Sequence, residues 1–537
     1  MQLKSSNIRG LLNYQANNAQ AESYTDKQVK KYIRKKPAAL QKWMQKHSSD
    51  ESGYESALER QARYLMAKQA KKKTRVNSIE GIKRLNDYEL RIYTTGYDSR
   101  FEEKLQIPIC PLHYYGDTTK YSYNANKFGF KRGDLSAIRA NKSSPVGAGA
   151  YRFVKYDSGI AYFMANELYY QGCPKITYVQ LKDLTKLFKD EDLTGAKLAE
   201  EMKGQTVDVA SLALTQSDLE AIGEINGNGK MSGNEINTCQ SANASYAYWG
   251  LNPYRVCINN EPFSEQSAAL RHAIAMVVSA CRGVQMETEG AKLTSVNAQA
   301  AKDSWLSPEQ PNEDKLCYAE TPDGKEQIYK TDDAVDQKRE EAQQTALKWL
   351  EKAGYTVEDG KVTAAPAGAK TLFSMELAGG TDTVGYQLAT AVASDLQGIG
   401  ITIQIHTTTV DKLNKKVANL RRGNVFAKKS SIALWYAEEE MSSNPDLAER
   451  FAFLENAELM KAINKSDQTI NKEKQKKWTQ KAFDEIYAMI VEVPVHQKST
   501  TMLYSSSRIR SKSMTKNTTM FYSWMREIQN IDMKAEN

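Results

Sequence analysis

Residues 371–406, TLFSMELAGGTDTVGYQLATAVASDLQGIGITIQIH, decide the fold class. Thr371 to Leu377 alternates apolar and polar residues and reads as a strand, Val384 to Leu396 carries apolar residues at helical spacing, and Ile401-Thr-Ile-Gln-Ile-His alternates again. Strand, helix and strand in direct succession imply a mixed α/β lobe.

The same texture extends in both directions. Upstream, Val335 to Ala353 reads as an amphipathic helix ended by Gly354, and Ser267 to Cys281 as a buried helix expected to stop near Gly283. Downstream, Ser466 to Ile490 is helical and Glu492-Val-Pro-Val-His leads into late strands. Earlier in the chain, Tyr151-Arg-Phe-Val-Lys-Tyr and Ile160-Ala-Tyr-Phe-Met-Ala-Asn flank Asp157-Ser-Gly as a hairpin, with Ile176 to Leu181 a further strand. A second hairpin is expected over 79–93, around an Asn-Asp turn. Residues 1–75 are polar and basic, with Leu40, Trp43, Tyr54, Leu58, Tyr64 and Leu65 at loosely helical spacing, and helices are expected there.

Composition narrows the function classes. The 537 residues, 41% hydrophobic, bury large cores. The longest apolar stretches, such as Ala273 to Ala280, fall far short of the ~20 residues that cross a bilayer. Met1 is followed by polar residues, so no secretion signal is expected within this sequence. The 73 basic and 65 acidic residues leave a net charge of +8, too small beside the total to demand nucleic acid. The excess is uneven: Lys30-Lys31, Arg34-Lys35-Lys36 and Lys71-Lys72-Lys73 concentrate it near the N-terminus, as a solvated face or a surface for polyanions or anionic membrane. Six widely spaced cysteines form no CxxC pair and leave the compartment open.

The search for catalytic chemistry returns little. His47, His113, His272, His406 and His496 form no HExxH pattern, and neither a GxSxG elbow nor a phosphate-binding GxxxxGK[ST] loop occurs. Glu224-Ile-Asn-Gly-Asn-Gly-Lys-Met-Ser-Gly-Asn-Glu has the spacing of a calcium loop, but Glu224 stands at position 1 and neutral Asn226 and Asn228 at positions 3 and 5. Two carboxylates suit an Asn/Gly turn better than a divalent ion. No enzyme activity, metal or cofactor is expected.

Five segments together resemble the peptide/nickel-binding family of bacterial solute receptors, extracellular solute-binding protein family 5, which includes the oligopeptide- and dipeptide-binding proteins of ABC importers. They are Ser144-Pro-Val-Gly-Ala-Gly-Ala-Tyr-Arg-Phe with Ala165-Asn-Glu-Leu-Tyr-Tyr; Tyr248-Trp-Gly-Leu-Asn with Asn260-Glu-Pro-Phe-Ser and Leu270-Arg-His-Ala-Ile; Ala346-Leu-Lys-Trp-Leu-Glu-Lys-Ala-Gly-Tyr with Asp359-Gly-Lys-Val; Leu396-Gln-Gly-Ile-Gly-Ile-Thr-Ile with Leu434-Trp-Tyr-Ala-Glu and Asn444-Pro-Asp; and the helix-to-strand ending Ile486 to Pro494. The resemblance implies an α/β, periplasmic-binding-protein-like two-lobed fold of type II, with an extra subdomain on lobe I and a ligand cleft between the lobes. The expected division is a basic helical segment 1–75, poorly matched to the family; a subdomain of lobe I, 76–136; lobe I, 137–272; lobe II, 273–497; and a return to lobe I, 498–537. The family's N-terminal part, with its lipoprotein signal and first strands, is expected to be missing from this sequence.

The resemblance also implies the function: a substrate-binding component of an ABC importer, extracytoplasmic and monomeric, with a short peptide and the membrane permease as partners and no nucleic acid. Burying the peptide's α-ammonium requires a carboxylate. The family's acid follows Trp-x-x, which in this sequence is Glu438, with Glu439 or Glu440 as substitutes. Trp435, Tyr436, Tyr248 and Trp249 complete the expected ligand-binding set, although a strand bearing Tyr and Trp also suits core packing. Arg271 and His272 are expected in structural contacts. Two alternatives stand beside this reading: a receptor of the same fold for a non-peptide solute, and a polyanion-binding protein using the basic N-terminal region with Lys412 to Arg422.

Overall fold

The structure, a computed structural model, describes residues 6–535 apart from 48–53, 98–100, 106, 108, 126, 131–133, 142–144, 185–193, 244, 290–292, 301–303, 308–316, 330–332, 382, 441–445, 517 and 520–521. Ser144 and Asn444 of the quoted motifs lie outside the described residues, as do the side chains of Glu439 and Glu440. The chain divides into two compact units. Unit 1 comprises Met1–Ile107, Ser245–Gln285 and Ser295–His496; unit 2 comprises Pro108–Ala244, Met286–Thr294 and Gln497–Asn537. Among the described residues no helix is long and apolar enough to cross a membrane.

After a short helix over Leu11–Ala16, unit 1 has three helices packed together, α1 (Asp26–Arg34), α2 (Ala38–Lys46) and α3 (Tyr54–Gln69). Thr25 opens α1 with a capping box shared with Gln28. Val29, Leu40, Leu58 and Ala62 form their common core, with Trp43 and Leu65 packed against it. The expected hairpin follows as Ile82–Arg84 paired antiparallel with Leu90–Ile92.

Unit 2 carries an antiparallel sheet of β1 (Tyr151–Asp157), β2 (Ile160–Ala165) and β3 (Tyr178–Lys182). Ser158 and Gly159 both take positive φ, the two-residue geometry that matches the twist of a hairpin. Further on, β4 (Val209–Leu212) and β5 (Ile236–Ala242) lie in the same unit. The Asn/Gly segment before β5 closes on itself: Asn226 Nδ2 donates to the Lys230 carbonyl at 2.9 Å, and Asn228 Nδ2 to that of Ser232 at 3.1 Å. Asn226 Oδ1 in turn accepts from Ile236 N–H, so the asparagine at position 3 of the calcium pattern serves as turn-closing donor and acceptor.

The rest of unit 1 is built on β6 (Ser245–Leu251), α4 (Glu265–Glu289), α5 (Val335–Lys352), β7 (Leu372–Ala378), α6 (Val384–Gly398), β8 (Thr402–Thr408), α7 (Val410–Arg421), β9 (Leu434–Glu440), α8 (Lys472–Met489) and β10 (Glu492–Ser505). Strand order is β10-β6-β9-β7-β8. The quoted stretch forms the β7-α6-β8 crossover: β7 and β8 pair in parallel from Leu372 opposite Thr402 to Ala378 opposite Thr408. Phe373, Met375 and Leu377 bury one face of β7, while Leu388, Ala389, Val392 and Leu396 bury the facing stripe of α6. The end of α4, from Met286, belongs to unit 2, and beyond His496 β10 continues into unit 2, where it pairs with β4 and β5.

Two expectations need correcting. The helix from Ser267 does not stop near Gly283 but runs to Glu289 as α4. Gly283 serves packing instead, since a Cβ there would lie 2.5 Å from Val335 Cγ2. The helix expected over 466–490 is two, Ala457–Asp467 and α8, with Asn471 capping the second through Lys474 N–H.

Candidate ligand-binding site

The central strand β6 is flanked on both edges. β9 runs antiparallel to it with Ala247 opposite Glu438, Tyr248 opposite Ala437, Trp249 opposite Tyr436 and Gly250 opposite Trp435. β10 pairs on the other edge, with Ala247 opposite His496 and Gly250 opposite Glu492. Because side chains alternate along a strand, the four aromatic candidates separate onto two faces.

Trp249 and Tyr436 lie on one face, buried in a core that includes Leu270, Ile274, Leu377 and Leu388. Trp249 is fully enclosed, and its Nε1 has no hydrogen-bond partner among the described residues. The Tyr436 ring lies over Gly385 near the start of α6, where a Cβ would approach within 2.6 Å. Its hydroxyl is 3.4 Å from His496 Nε2, and both groups are buried.

Tyr248 and Trp435 lie on the opposite face. Their rings meet edge to face, centroids 6.4 Å apart, and Trp435 Nε1 donates to the Tyr248 hydroxyl at 3.1 Å. Arg421 Nη2, at the end of α7, donates to the same hydroxyl at 2.8 Å. The indole covers Gly250, its cross-strand neighbour, so closely that any Cβ would enter the ring. Tyr246, two residues before Tyr248, joins a buried ionic group: its hydroxyl donates to Glu492 Oε1, while Arg450 Nη2 contacts both the Tyr246 hydroxyl at 2.8 Å and Glu492 Oε2. Burial pushes the Tyr246 phenol well above its ordinary pKa and keeps it a donor.

Glu438 follows three buried residues, Trp435, Tyr436 and Ala437, and is itself exposed. By alternation it falls on the Tyr436 face, at the edge of that core. Thus the structure joins Tyr248 to Trp435 and places Glu438 beyond Tyr436, but it does not gather all five residues around one point.

Arg271 and His272 take structural roles. The Arg271 guanidinium donates to the carbonyls of Val256, Pro262 and Met489, the last at the C-terminal end of α8. His272 stacks on Trp349 with centroids 3.9 Å apart, and burial lowers its pKa to about 3.

The sequence reading did not single out Tyr246, Arg421, Arg450, Glu492 or His496 as neighbours of these aromatics. Tyr246 was within reach, being in phase with Tyr248. Arg450 carries no local signal, because only the tertiary fold brings it to Glu492.

Comparison with curated protein sequences finds no match. Among solved structures, the chain is similar to a putative peptide-binding protein AppA from Clostridium difficile (12% identity, TM-score 0.54, covering 84% of this chain and 78% of that one). It is also similar to NikA from Brucella suis in complex with Fe(III)-EDTA (14% identity, TM-score 0.54, 84% and 78% covered) and to the ABC transporter substrate-binding protein CtaP from Listeria monocytogenes (13% identity, TM-score 0.53, 84% and 77% covered). These likenesses show the fold, mixed α/β and of the two-lobed periplasmic-binding-protein kind. The model for bacterial extracellular solute-binding proteins, family 5 (middle region), matches residues 29–442, more than half of the chain, and the protein belongs to that family.

Proposed function

We propose that this protein captures short peptides, with the Glu438 carboxylate receiving the peptide's α-ammonium, and delivers them to a membrane permease from a periplasmic or lipid-anchored position. Family membership makes the chain a non-enzymatic solute-binding component of an ABC importer; the peptide is the finer reading. The observation that carries it is the position of Glu438: an exposed carboxylate on a strand whose preceding residues are locked in the core. A charge held by rigid backbone loses little freedom on binding, and a charge-assisted hydrogen bond to an ammonium is among the stronger polar contacts. Extended peptides offer backbone N–H and C=O groups, so main-chain hydrogen bonds hold them without reading each side chain.

Thermal-shift measurement against mixtures of short peptides tests this reading. A ligand at 100 to 1,000 times its Kd stabilises by roughly 3–4 kcal/mol. Glu438→Gln should abolish the shift and leave the unliganded transition in place. A full peptide response in that variant overturns the amine site. A shift with metal chelates and none with peptides overturns the peptide reading in favour of another solute.

A further inference from the structure

The helical segment ahead of the main sheet carries a charge pattern that solute capture does not use. In α1 the apolar side is spent inward: Val29 is buried, and Tyr32 and Ile33 pack on the core shared with α3. The outward side repeats cations at helical spacing, Lys27, Lys30, Lys31 and Arg34, all exposed. Lys35 and Lys36 continue the row past the helix end, and α2 adds exposed Lys42 and Lys46.

The acidic counterweight is small. Asp26 is paired with Arg63, and the Glu22 carboxylate is occupied by the backbone N–H groups of Gly10 and Leu12. Among the described residues, none of the α1 and α2 cations forms an ion pair with a carboxylate. A further basic cluster adjoins them. Tyr32 hydroxyl donates to Gln69 Oε1 at 2.9 Å, tying the end of α3 to the last turns of α1. That bond brings exposed Lys68 and Lys71-Lys72-Lys73 to the end of the bundle where Lys35 and Lys36 lie.

We infer that this basic face of the α1–α3 bundle docks on a membrane surface of anionic phospholipid. The partner follows from charge and place together. A row of exposed lysines on a folded support complements a plane of negative headgroups, and the attraction grows with each cation brought near the surface. A binding protein that hands solute to a membrane permease works beside such a plane. Docking would hold the protein near its permease and raise the local concentration at which the two meet. The inference does not depend on which solute is bound.

Co-sedimentation of the full chain with vesicles tests it. Binding is expected to vesicles of phosphatidylcholine with one-third phosphatidylglycerol and not to phosphatidylcholine alone. It should be lost when salt rises from about 0.1 M to about 1 M, which shortens the Debye length from ~10 to ~3 Å. The variant Lys30→Gln/Lys31→Gln/Lys35→Gln/Lys36→Gln should bind at least tenfold more weakly while keeping the parent's circular dichroism and thermal transition. Replacing four exposed lysines elsewhere, Lys465, Lys472, Lys474 and Lys477, by Gln should leave binding unchanged. Equal binding to both vesicle types, or an equal loss in the second variant, overturns the inference. Tighter binding to a double-stranded DNA fragment than to the vesicles at the same salt overturns it in favour of a nucleic-acid surface.

Discussion

Ala247, Trp249 and Leu251 on one face of β6 pack into a core of aliphatic and aromatic side chains, whereas Tyr246 and Tyr248, one residue out of phase, meet Arg421, Arg450 and Glu492. The backbone is shared and the hydrogen-bonded neighbours are the same strands, so the difference lies in what each face was given to bury. Both faces gain from area removed from water, the second through a separate cluster in which Tyr246, Tyr248 and Trp435 pack with Leu413, Leu420, Phe451 and Ile486. The second also holds an ion pair in which Arg450 and Glu492 are each less than 5% exposed, with the Tyr246 hydroxyl hydrogen-bonded to both, and breaking such a pair by removing one partner is costly.

The largest test of that difference removes one partner. Glu492→Ala leaves the Arg450 guanidinium buried without its carboxylate and should cost about 3–5 kcal/mol. The double variant Arg450→Met/Glu492→Leu should cost less than Glu492→Ala alone, because it removes both charges together. Denaturant unfolding followed by tryptophan fluorescence reads this cleanly: of the seven tryptophans only Trp524 lies in unit 2. A loss under about 1 kcal/mol for Glu492→Ala would mean that water reaches the pair and that the two faces do not differ in the way described.

A second test probes packing. Gly250 lies on the Tyr248 face between Trp435 and Glu492, with the indole where a Cβ would stand. Gly250→Ala should therefore destabilise by about 3 kcal/mol, the upper part of the overpacking range, because a buried indole bonded to Tyr248 has little room to shift. An effect under about 0.5 kcal/mol in the same unfolding measurement would show that Trp435 moves freely, and that the rigid support assumed for the Glu438 strand is absent.

Period and punctuation carried most of the fold into the sequence. The β7-α6-β8 passage was legible because its strands alternate, its helix begins at Thr383 and the helix ends at glycine, all within 36 residues. Gly283 misled for the opposite reason: glycine commonly ends helices, but here it admits Val335, and that neighbour lies far along the chain. The candidate site was legible only in part. Strand alternation places Tyr248 and Trp249 on different faces at once, yet which face also holds charge depends on Arg421, Arg450 and Glu492, which come from three separate elements. Charged residues at buried positions look like surface residues until the fold brings their partners.

The smallest expected effect isolates one hydroxyl. Tyr248→Phe keeps the ring that meets Trp435 edge to face and deletes only the acceptor shared by Trp435 Nε1 and Arg421 Nη2. Trp435 is buried, so its indole N–H would lose its acceptor without gaining water, and the cost should be about 1–2 kcal/mol. Tyr436→Phe on the other face removes a hydroxyl whose contact with His496 is longer, 3.4 Å, and should cost less. If the two substitutions cost the same, the polar network around Tyr248 adds nothing beyond an ordinary hydroxyl contact, and the contrast between the faces of β6 reduces to the Arg450–Glu492 pair.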